Sequence, residues 1–303
     1  MARATSTDPR SLLERITHTD THLFPIDSQR RQIARIVARE SAETIVGRPA
    51  GFRVEVVRRL IGPVADHVAG RFVAYDRALG DGLRHGSTWI LDDAAGGLAV
   101  EGRDRVPKQG PLLVVANHPG LSDAIALVAA LGRDDAWIVT ANYPFLHAMR
   151  LASRRFLFVS DDRSDVMSLF RSIVSRLRDG ETVVVFPAGG LELDPALSRD
   201  AALASLATWS RSLELLARVA RDTVLIPAAI RGVVSRSAFD HPLARRRDVP
   251  KERQRMATLL QLAVPAYRAN PVTISFGAPI LSGSTRDLHA AVIAAMRALI
   301  GVT

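Results

Sequence analysis

Seven short apolar runs, separated by stretches with helical periodicity, restrict the fold of this 303-residue chain more than any other feature. The runs are GLAVEG, LLVVAN, AWIVTA, RFLFVS, TVVVFP, TVLIPAAI and PVTISFG. Between them, SDAIALVAAL, DVMSLFRSIVSRLRDG and ASLATWSRSLELLARVA predict helices. Strands that are apolar along their whole length must be covered on both faces. The alternation therefore predicts an α/β fold with a mainly parallel or mixed sheet flanked by helices.

The first part of the chain has a different pattern. Residues 1 to about 28 are polar and irregular, and apolar residues then recur at three- and four-residue spacing up to about residue 80. The segment SQRRQIARIVARESAETIVG ends on a helix-stopping glycine, and Pro63 is expected to break or kink the next helix. We therefore predict an N-terminal helical region over residues 1–85 and a second domain over residues 86–303.

Composition excludes several kinds of site. The chain has no cysteine, which excludes disulfides, thiolate zinc sites and a cysteine nucleophile. His18 and His22 share helical spacing, but no third ligand accompanies them, so we expect no metal. No serine-hydrolase elbow, P-loop or dinucleotide fingerprint occurs. No run reaches the ~18 apolar residues of a membrane span, and the start lacks the apolar stretch of a signal peptide, so we expect a cytoplasmic location.

The formal net charge of +9 suits anionic partners such as lipid headgroups, phosphorylated substrates or nucleic acid. Aromatic residues make up only 5% of the chain and do not interleave with basic ones, so we expect no nucleic-acid binding. The helical stretch 51–78 either lies on a membrane or packs on the core. The segment HPLARRRDVPKERQRMATLLQL either docks on anionic headgroups or is a solvated charged face. Its six cations are Arg245, Arg246, Arg247, Lys251, Arg253 and Arg255.

Polar residues follow the apolar run LLVVA. Asn117 and His118 are expected at the carboxyl edge of the strand, Pro119-Gly120 forms a turn, and Asp123 stands in the first turn of the next helix. The turn can fold Asp123 back toward His118, and a carboxylate on one imidazole nitrogen raises the basicity of the other. Such a pair can take a proton from a hydroxyl that attacks a carbonyl. Alternatively, Asp123 only favours the helix N-terminus and His118 is a polar loop residue.

A second strand ends in the segment ETVVVFPAGGLELD, where an apolar run leads into residues 186–190. Glycines there let the backbone approach a ligand, and free N–H groups can hold a phosphate or an oxyanion. An ordinary strand-to-loop turn is the alternative interpretation.

Together these stretches resemble the glycerolipid acyltransferase superfamily, which includes lysophosphatidate and glycerophosphate acyltransferases. Asn117, His118 and Asp123 match its Asn-His-x4-Asp block, and FPAG at 186–189 matches its Phe-Pro-Glu-Gly block. RRFLFVSDDRSD, TVLIPAAIRG and PVTISFGAPI resemble further blocks, and all appear in family order over about residues 96–300. The FPAG variant resembles a branch that includes ornithine-lipid acyltransferases and hemolysin-like proteins.

The resemblance implies an acyltransferase that needs no cofactor. It implies acyl-CoA or acyl-carrier protein as the donor, and a lysophospholipid or related lipid as the hydroxyl acceptor, at the inner face of the cell membrane. It makes His118 the general base and Asp123 the residue that orients it. It also implies substrate-binding residues, with the anionic head group on the arginine and the loop: Asn117, Arg163, Phe186, Pro187, Ala188, Gly189 and Gly190.

One position departs from the family pattern. Ala188 stands where the family commonly has glutamate, so the acceptor site is altered. Glu192 is a candidate to replace the missing carboxylate, although the sequence does not place it. A catalytically lapsed member that binds lipid as a scaffold is the alternative function.

Overall fold

The computed structural model describes residues 26–47, 51–120, 122–159, 163–220, 222–281, 283 and 287–301. The pair His18 and His22 lies outside them. Thirteen α-helices lie in this part of the chain: α1 Ile26–Val46, α2 Phe52–Leu60, α3 Gly62–Ala78, α4 Leu83–Ala94, α5 Asp123–Leu131, α6 Pro144–Ala148, α7 Arg163–Arg178, α8 Arg199–Ser205, α9 Ser212–Val219, α10 Arg236–Phe239, α11 Pro242–Arg245, α12 Pro250–Ala263 and α13 Leu288–Gly301. The same residues form eight strands: β1 Leu98–Glu101, β2 Leu112–Ala116, β3 Ala136–Ala141, β4 Phe156–Val159, β5 Thr182–Val185, β6 Val224–Arg231, β7 Val272–Phe276 and β8 Ile280–Leu281.

The strands form one mixed sheet in the order β1-β7-β6-β2-β5-β3-β4. The five strands from β6 to β4 are parallel to one another, whereas β7 is antiparallel to β6 and parallel to β1. The short β8 pairs antiparallel with the start of β6, and the sequence pattern did not predict it. The predicted α/β fold and all seven predicted strands are confirmed.

Strand β2 lies in the middle of the sheet, and all five of its residues are buried. Leu112, Val114 and Ala116 pack with residues of α1, α3, α4, α5 and α12 on one face. Leu113 and Val115 pack with residues of α7, α8, α9 and α13 on the other face. Covering both faces is what the continuously apolar strands require.

The helix ends predicted from glycine and proline are confirmed in the N-terminal part. Helix α1 ends at Val46, and Gly47 follows with φ 79°, a conformation that glycine adopts without strain. Helix α2 ends at Leu60, and Pro63 lies in the first turn of α3, where its missing N–H costs no helical hydrogen bond. The predicted domain boundary between residues 85 and 86 falls within α4 and stays a prediction.

The prediction of a single helix over ASLATWSRSLELLARVA was wrong. Helix α8 ends at Ser205, a 3-10 turn follows, and α9 begins only at Ser212. Between them Trp209 has ψ 134° and is only 3% exposed, and its indole N–H donates to Glu192 at 2.9 Å. Burial of the indole, with its one donor satisfied, compensates for the helical hydrogen bonds that are lost here.

A buried carboxylate joins the N-terminal helices to the rest of the fold. Asp76 on α3 is 2% exposed and accepts a hydrogen bond from the Gln29 side chain of α1 at 2.8 Å. It also accepts the main-chain N–H groups of Arg150, Leu151 and Ala152, at 2.8–2.9 Å, from the segment between α6 and β4. Removal of this carboxylate would leave several buried donors without an acceptor.

Asp76→Ala is expected to lower the free energy of unfolding by about 2–4 kcal/mol, because each unsatisfied buried donor costs about 1–3 kcal/mol. Asp66→Ala on the same helix is the matched control. Its ion pair with Arg30 is roughly half exposed, so it is expected to cost at most about 1 kcal/mol. Urea unfolding followed by circular dichroism measures both variants, and equal losses would contradict this role of Asp76.

Candidate active site

The candidate site lies where β2 ends and the chain turns into α5. Because β2 pairs with β5 through Val115 and Val185, the segment after β5 runs beside the segment after β2. The rings of His118 and Phe186 lie 4.9 Å apart at an interplanar angle of 38°. The structure therefore brings together the two strand ends that the sequence singled out.

His118 and Asp123 are in direct contact. Nδ1 of His118 lies 2.6 Å from Oδ2 of Asp123, whose side chain is 1% exposed. The same carboxylate accepts the main-chain N–H of Gly120 at 3.0 Å and that of Ala124 at 2.6 Å. A carboxylate only accepts, so Nδ1 carries the proton in this pair. Nε2 of His118 has no partner among the described residues, and the side chain is 35% exposed.

The surroundings change the basicity of His118. Burial by itself lowers its pKa. The charge of Asp123, the hydrogen bond from Nδ1 to Asp123 and the charge of Glu192 act in the opposite direction, so the pKa is raised above its ordinary value of 6.5. Among the described residues, these are the two charged side chains that act on the imidazole.

Asn117 bonds to the neighbouring strand. Its amide donates from Nδ2 to the carbonyl of Ile230 at 2.9 Å and accepts the N–H of Ile230 on Oδ1 at 2.8 Å. The side chain thus continues the β2–β6 ladder one residue beyond the end of β2, and Asn117 is 2% exposed. Its role in substrate binding stays a prediction.

The side chains of Glu192 and Gln254 hold the turn at 118–120. The sequence alone predicted neither of these contacts. Glu192 is 1% exposed, and its carboxylate accepts the main-chain N–H of His118 at 2.9 Å. Gln254 on α12 donates from Nε2 to the carbonyls of Pro119 and Glu192, at 2.6 and 2.7 Å. Its Oε1 accepts the N–H of Asp194 at 2.9 Å. Gln254 carries no sequence signal beyond a polar residue on an amphipathic helix.

The segment 186–190 forms a turn beside His118. The N–H of Gly189 donates to the carbonyl of Phe186 at 3.1 Å, and Gly189 has φ 63°. Gly189 and Gly190 are exposed, and a Cβ built on either would have no neighbour within 4 Å, its chain neighbours apart. Pro187 and Ala188 are half-buried. Substrate binding by Phe186, Pro187, Ala188, Gly189 and Gly190 stays a prediction.

Arg163 is the first residue of α7, four positions after the end of β4, and its side chain lies outside the described part of the structure. Its substrate-binding role stays a prediction. No group of three or more histidine, aspartate or glutamate side chains in the described ranges is arranged to hold a metal ion.

The six cations of the basic segment divide into two groups. Arg247 donates to the carbonyls of Thr44 and Ile45, and Arg253 donates to the carbonyl of Phe239 and to Asp240. These two therefore bind within the fold. The exposed cations are Arg245, Arg246, Lys251 and Arg255.

Part of the chain is similar to a known protein family. A family model described as Acyltransferase matches residues 97–231. No curated protein matches the sequence significantly. Among solved structures, the chain is similar to the crystal structure of the 1-acyl-sn-glycerophosphate (LPA) acyltransferase PlsC from Thermotoga maritima. The sequence identity is 15% and the TM-score 0.45, and the match covers 89% of this chain and 97% of that chain.

The family match spans the residues on which the sequence resemblance depends. His118, Asp123 and the segment 186–190 all fall within residues 97–231. The match confirms the resemblance and the prediction of an acyltransferase. Over residues 97–231, the part of the chain that carries these motifs, the sequence is thus similar to the Acyltransferase family.

Proposed function

We propose that this acyltransferase moves a fatty acyl group from acyl-CoA or acyl-carrier protein to a hydroxyl of a lysophospholipid or related lipid at a membrane surface. One observation carries the proposal: the 2.6 Å contact between Nδ1 of His118 and the buried Asp123 carboxylate. It leaves Nε2 as the proton-accepting atom of a half-buried imidazole, at the carboxyl edge of the sheet. The family resemblance supplies the donor and acceptor classes.

The transfer needs one general base and no covalent acyl-enzyme. Nε2 of His118 takes the proton of the acceptor hydroxyl while the hydroxyl oxygen attacks the thioester carbon and the carbonyl electron pair moves onto oxygen. When the tetrahedral intermediate collapses, the carbon–sulfur bond breaks and the sulfur takes the proton from Nε2. Asp123 stabilises the imidazolium that exists between these events. The products are the ester and the free thiol.

The segment 186–190, Arg163 and Asn117 are the proposed substrate-binding residues, with the acceptor head group on the segment and the arginine. Gly189 and Gly190 are exposed, with open space around the Cβ position of each, in the turn whose Phe186 ring lies 4.9 Å from that of His118. Glu192 does not supply the carboxylate that Ala188 lacks at this surface, because its side chain is buried and already bonded to His118. The acceptor is therefore recognised without an exposed glutamate in this segment.

An exposed apolar stripe on α2 supports action at a membrane. Phe52, Val56 and Leu60 are 84%, 39% and 74% exposed and follow one another at four-residue spacing, so they share one helix face. No residue of α2 is buried, and Arg53 and Arg59 are exposed beside the stripe. An apolar face flanked by cations is typical of a helix that lies in the membrane interface. Within the described residues, no helix has the length and apolar character of a membrane span.

Thiol release from palmitoyl-CoA tests the proposed function. The acceptor panel holds lysophosphatidate, glycerol phosphate, lyso-ornithine lipid and other lysolipids, with anionic vesicles present. Release is expected only with an acceptor, and His118→Ala is expected to lower the rate about a hundredfold or more, because the general base is lost. His85→Ala, an exposed histidine on α4, is the control.

Full activity of a folded His118→Ala variant would contradict the mechanism. A wild-type protein that binds the vesicles but turns over neither palmitoyl-CoA nor palmitoyl-carrier protein would instead support the lapsed scaffold.

The pH dependence of the rate is expected to follow the protonation of His118. The base must be neutral, and its pKa is raised, so kcat/KM should rise with pH along an acid limb whose midpoint lies above 6.5. Asp123→Asn removes the negative charge that raises the pKa and keeps the burial that lowers it, so the midpoint should move to lower pH. Asp66→Asn is the control that should leave the profile unchanged. A wild-type midpoint at or below 6.5 would contradict this assignment.

Vesicle binding tests the role of α2. Phe52→Glu/Val56→Glu is expected to weaken cosedimentation with phosphatidylglycerol–phosphatidylcholine vesicles by about tenfold or more, since burial of each apolar side chain contributes about 1.5–3 kcal/mol when complete. Leu215→Glu/Val219→Glu on α9 is the matched control, with the same spacing, 49% and 38% exposure, and a place on the opposite face of the sheet. An equal loss in both double variants would show that α2 is not the docking helix.

A further inference from the structure

Glu192 is a buried carboxylate that no step of the transfer uses. Its side chain is 1% exposed, and among the described residues no arginine or lysine pairs with it. Burial of a carboxylate is unfavourable unless hydrogen bonds compensate for the lost water. Three donors do so here: the N–H of His118 at 2.9 Å on Oε2, and the Ser205 hydroxyl at 2.6 Å and the Trp209 indole N–H at 2.9 Å on Oε1.

Glu192 and His118 each donate a main-chain hydrogen bond to the other. The carboxylate of Glu192 accepts the N–H of His118, and the main-chain N–H of Glu192 donates to the carbonyl of His118 at 2.8 Å. One residue thus satisfies both main-chain polar groups of His118, just beyond the end of β2. Gln254 then ties the carbonyl of Glu192 to that of Pro119, which couples the two segments further.

We infer that the Glu192 carboxylate is a positioning residue that holds the main chain of His118, and with it the imidazole, in the orientation that the transfer step needs. The inference rests on the proposed function of His118. Asp123 fixes the ring through Nδ1, whereas Glu192 fixes the backbone from which the ring extends. If the imidazole is displaced or rotated, the rate of the transfer step falls, since catalysis depends on the placement of the reacting atoms.

The charge of Glu192 allows its positioning role to be tested by the pH profile as well as by kcat. Two charged side chains act on the imidazole in the described structure, Asp123 from α5 and Glu192 from the segment after β5, and both raise its pKa. Neutralising Glu192 should therefore move the acid limb of the pH profile to lower pH. A residue that only stabilised the fold would change the melting temperature without changing this limb.

Two substitutions separate the effect of the length of the Glu192 side chain from the effect of its charge. Glu192→Gln keeps the length of the side chain but replaces one acceptor oxygen by an NH₂ donor, so either His118 or Trp209 must face a donor in place of an acceptor. Glu192→Asp keeps the charge but withdraws the carboxylate by one methylene from the N–H of His118. Glu214→Gln on α9 is the control for the loss of one negative charge, because Glu214 pairs with the exposed Arg211.

In the acceptor-dependent assay, Glu192→Gln is expected to lower kcat about tenfold or more, with little change in the KM for the acceptor, and to move the acid limb to lower pH. Glu192→Asp is expected to lower kcat while leaving the acid limb close to that of the wild type. Glu214→Gln should retain the wild-type kcat and pH profile. Melting temperatures confirm that the compared proteins are folded.

Wild-type kcat and an unmoved acid limb in folded Glu192→Gln would overturn the inference, and so would a lower melting temperature as its only effect. If Glu192→Gln does not fold, the test rests on Glu192→Asp. Wild-type kcat in that variant would equally overturn the positioning role. Loss of activity in His118→Ala is measured in parallel. Without that loss the proposed function is wrong, whereas with it a normal Glu192→Gln refutes only the role of Glu192.

Discussion

The chain leaves the sheet at the end of β2, and its main-chain polar groups there lose their ladder partners while still in a buried environment. Backbone groups in such a place need other partners. Glu192 supplies both partners of His118, Gln254 supplies that of Pro119, and Asp123 accepts the N–H of Gly120. The groups that satisfy the backbone are thus also the groups that fix the base, so stability and function share the same contacts at this edge.

The electrostatics of the site follow from the same arrangement. Burial alone would lower the pKa of His118, but two carboxylates reverse that effect, Asp123 bonded to the ring and Glu192 bonded to the main chain. A base with a raised pKa, whose Nε2 has no partner among the described residues, suits proton removal from an alkyl hydroxyl near neutral pH. The turn at 186–190 lies beside it, and its two glycines are exposed.

Local patterns predicted the strands. The turn chemistry of Pro119-Gly120 made the contact between His118 and Asp123 possible over only five residues of chain, and the family resemblance selected it from the alternatives. The partners that hold the site from outside were not predictable in this way. Glu192 lies 74 residues from His118 in sequence, and Ile230 lies 113 residues from Asn117. Their proximity depends on the strand order β5-β2-β6, which periodicity does not give. The break at Trp209 was also missed, because burial of the indole and its bond to Glu192, 17 residues earlier, are tertiary contacts that periodicity does not show.

The protonation state of each nitrogen of His118 decides whether Nε2 can act as the general base. Nitrogen chemical shifts of the imidazole in ¹⁵N-labelled protein, recorded across pH, report which nitrogen carries the proton. We expect the neutral ring to carry its proton on Nδ1, toward Asp123, with Nε2 unprotonated. A neutral ring with its proton on Nε2 would contradict the account, because no lone pair would then face the acceptor hydroxyl.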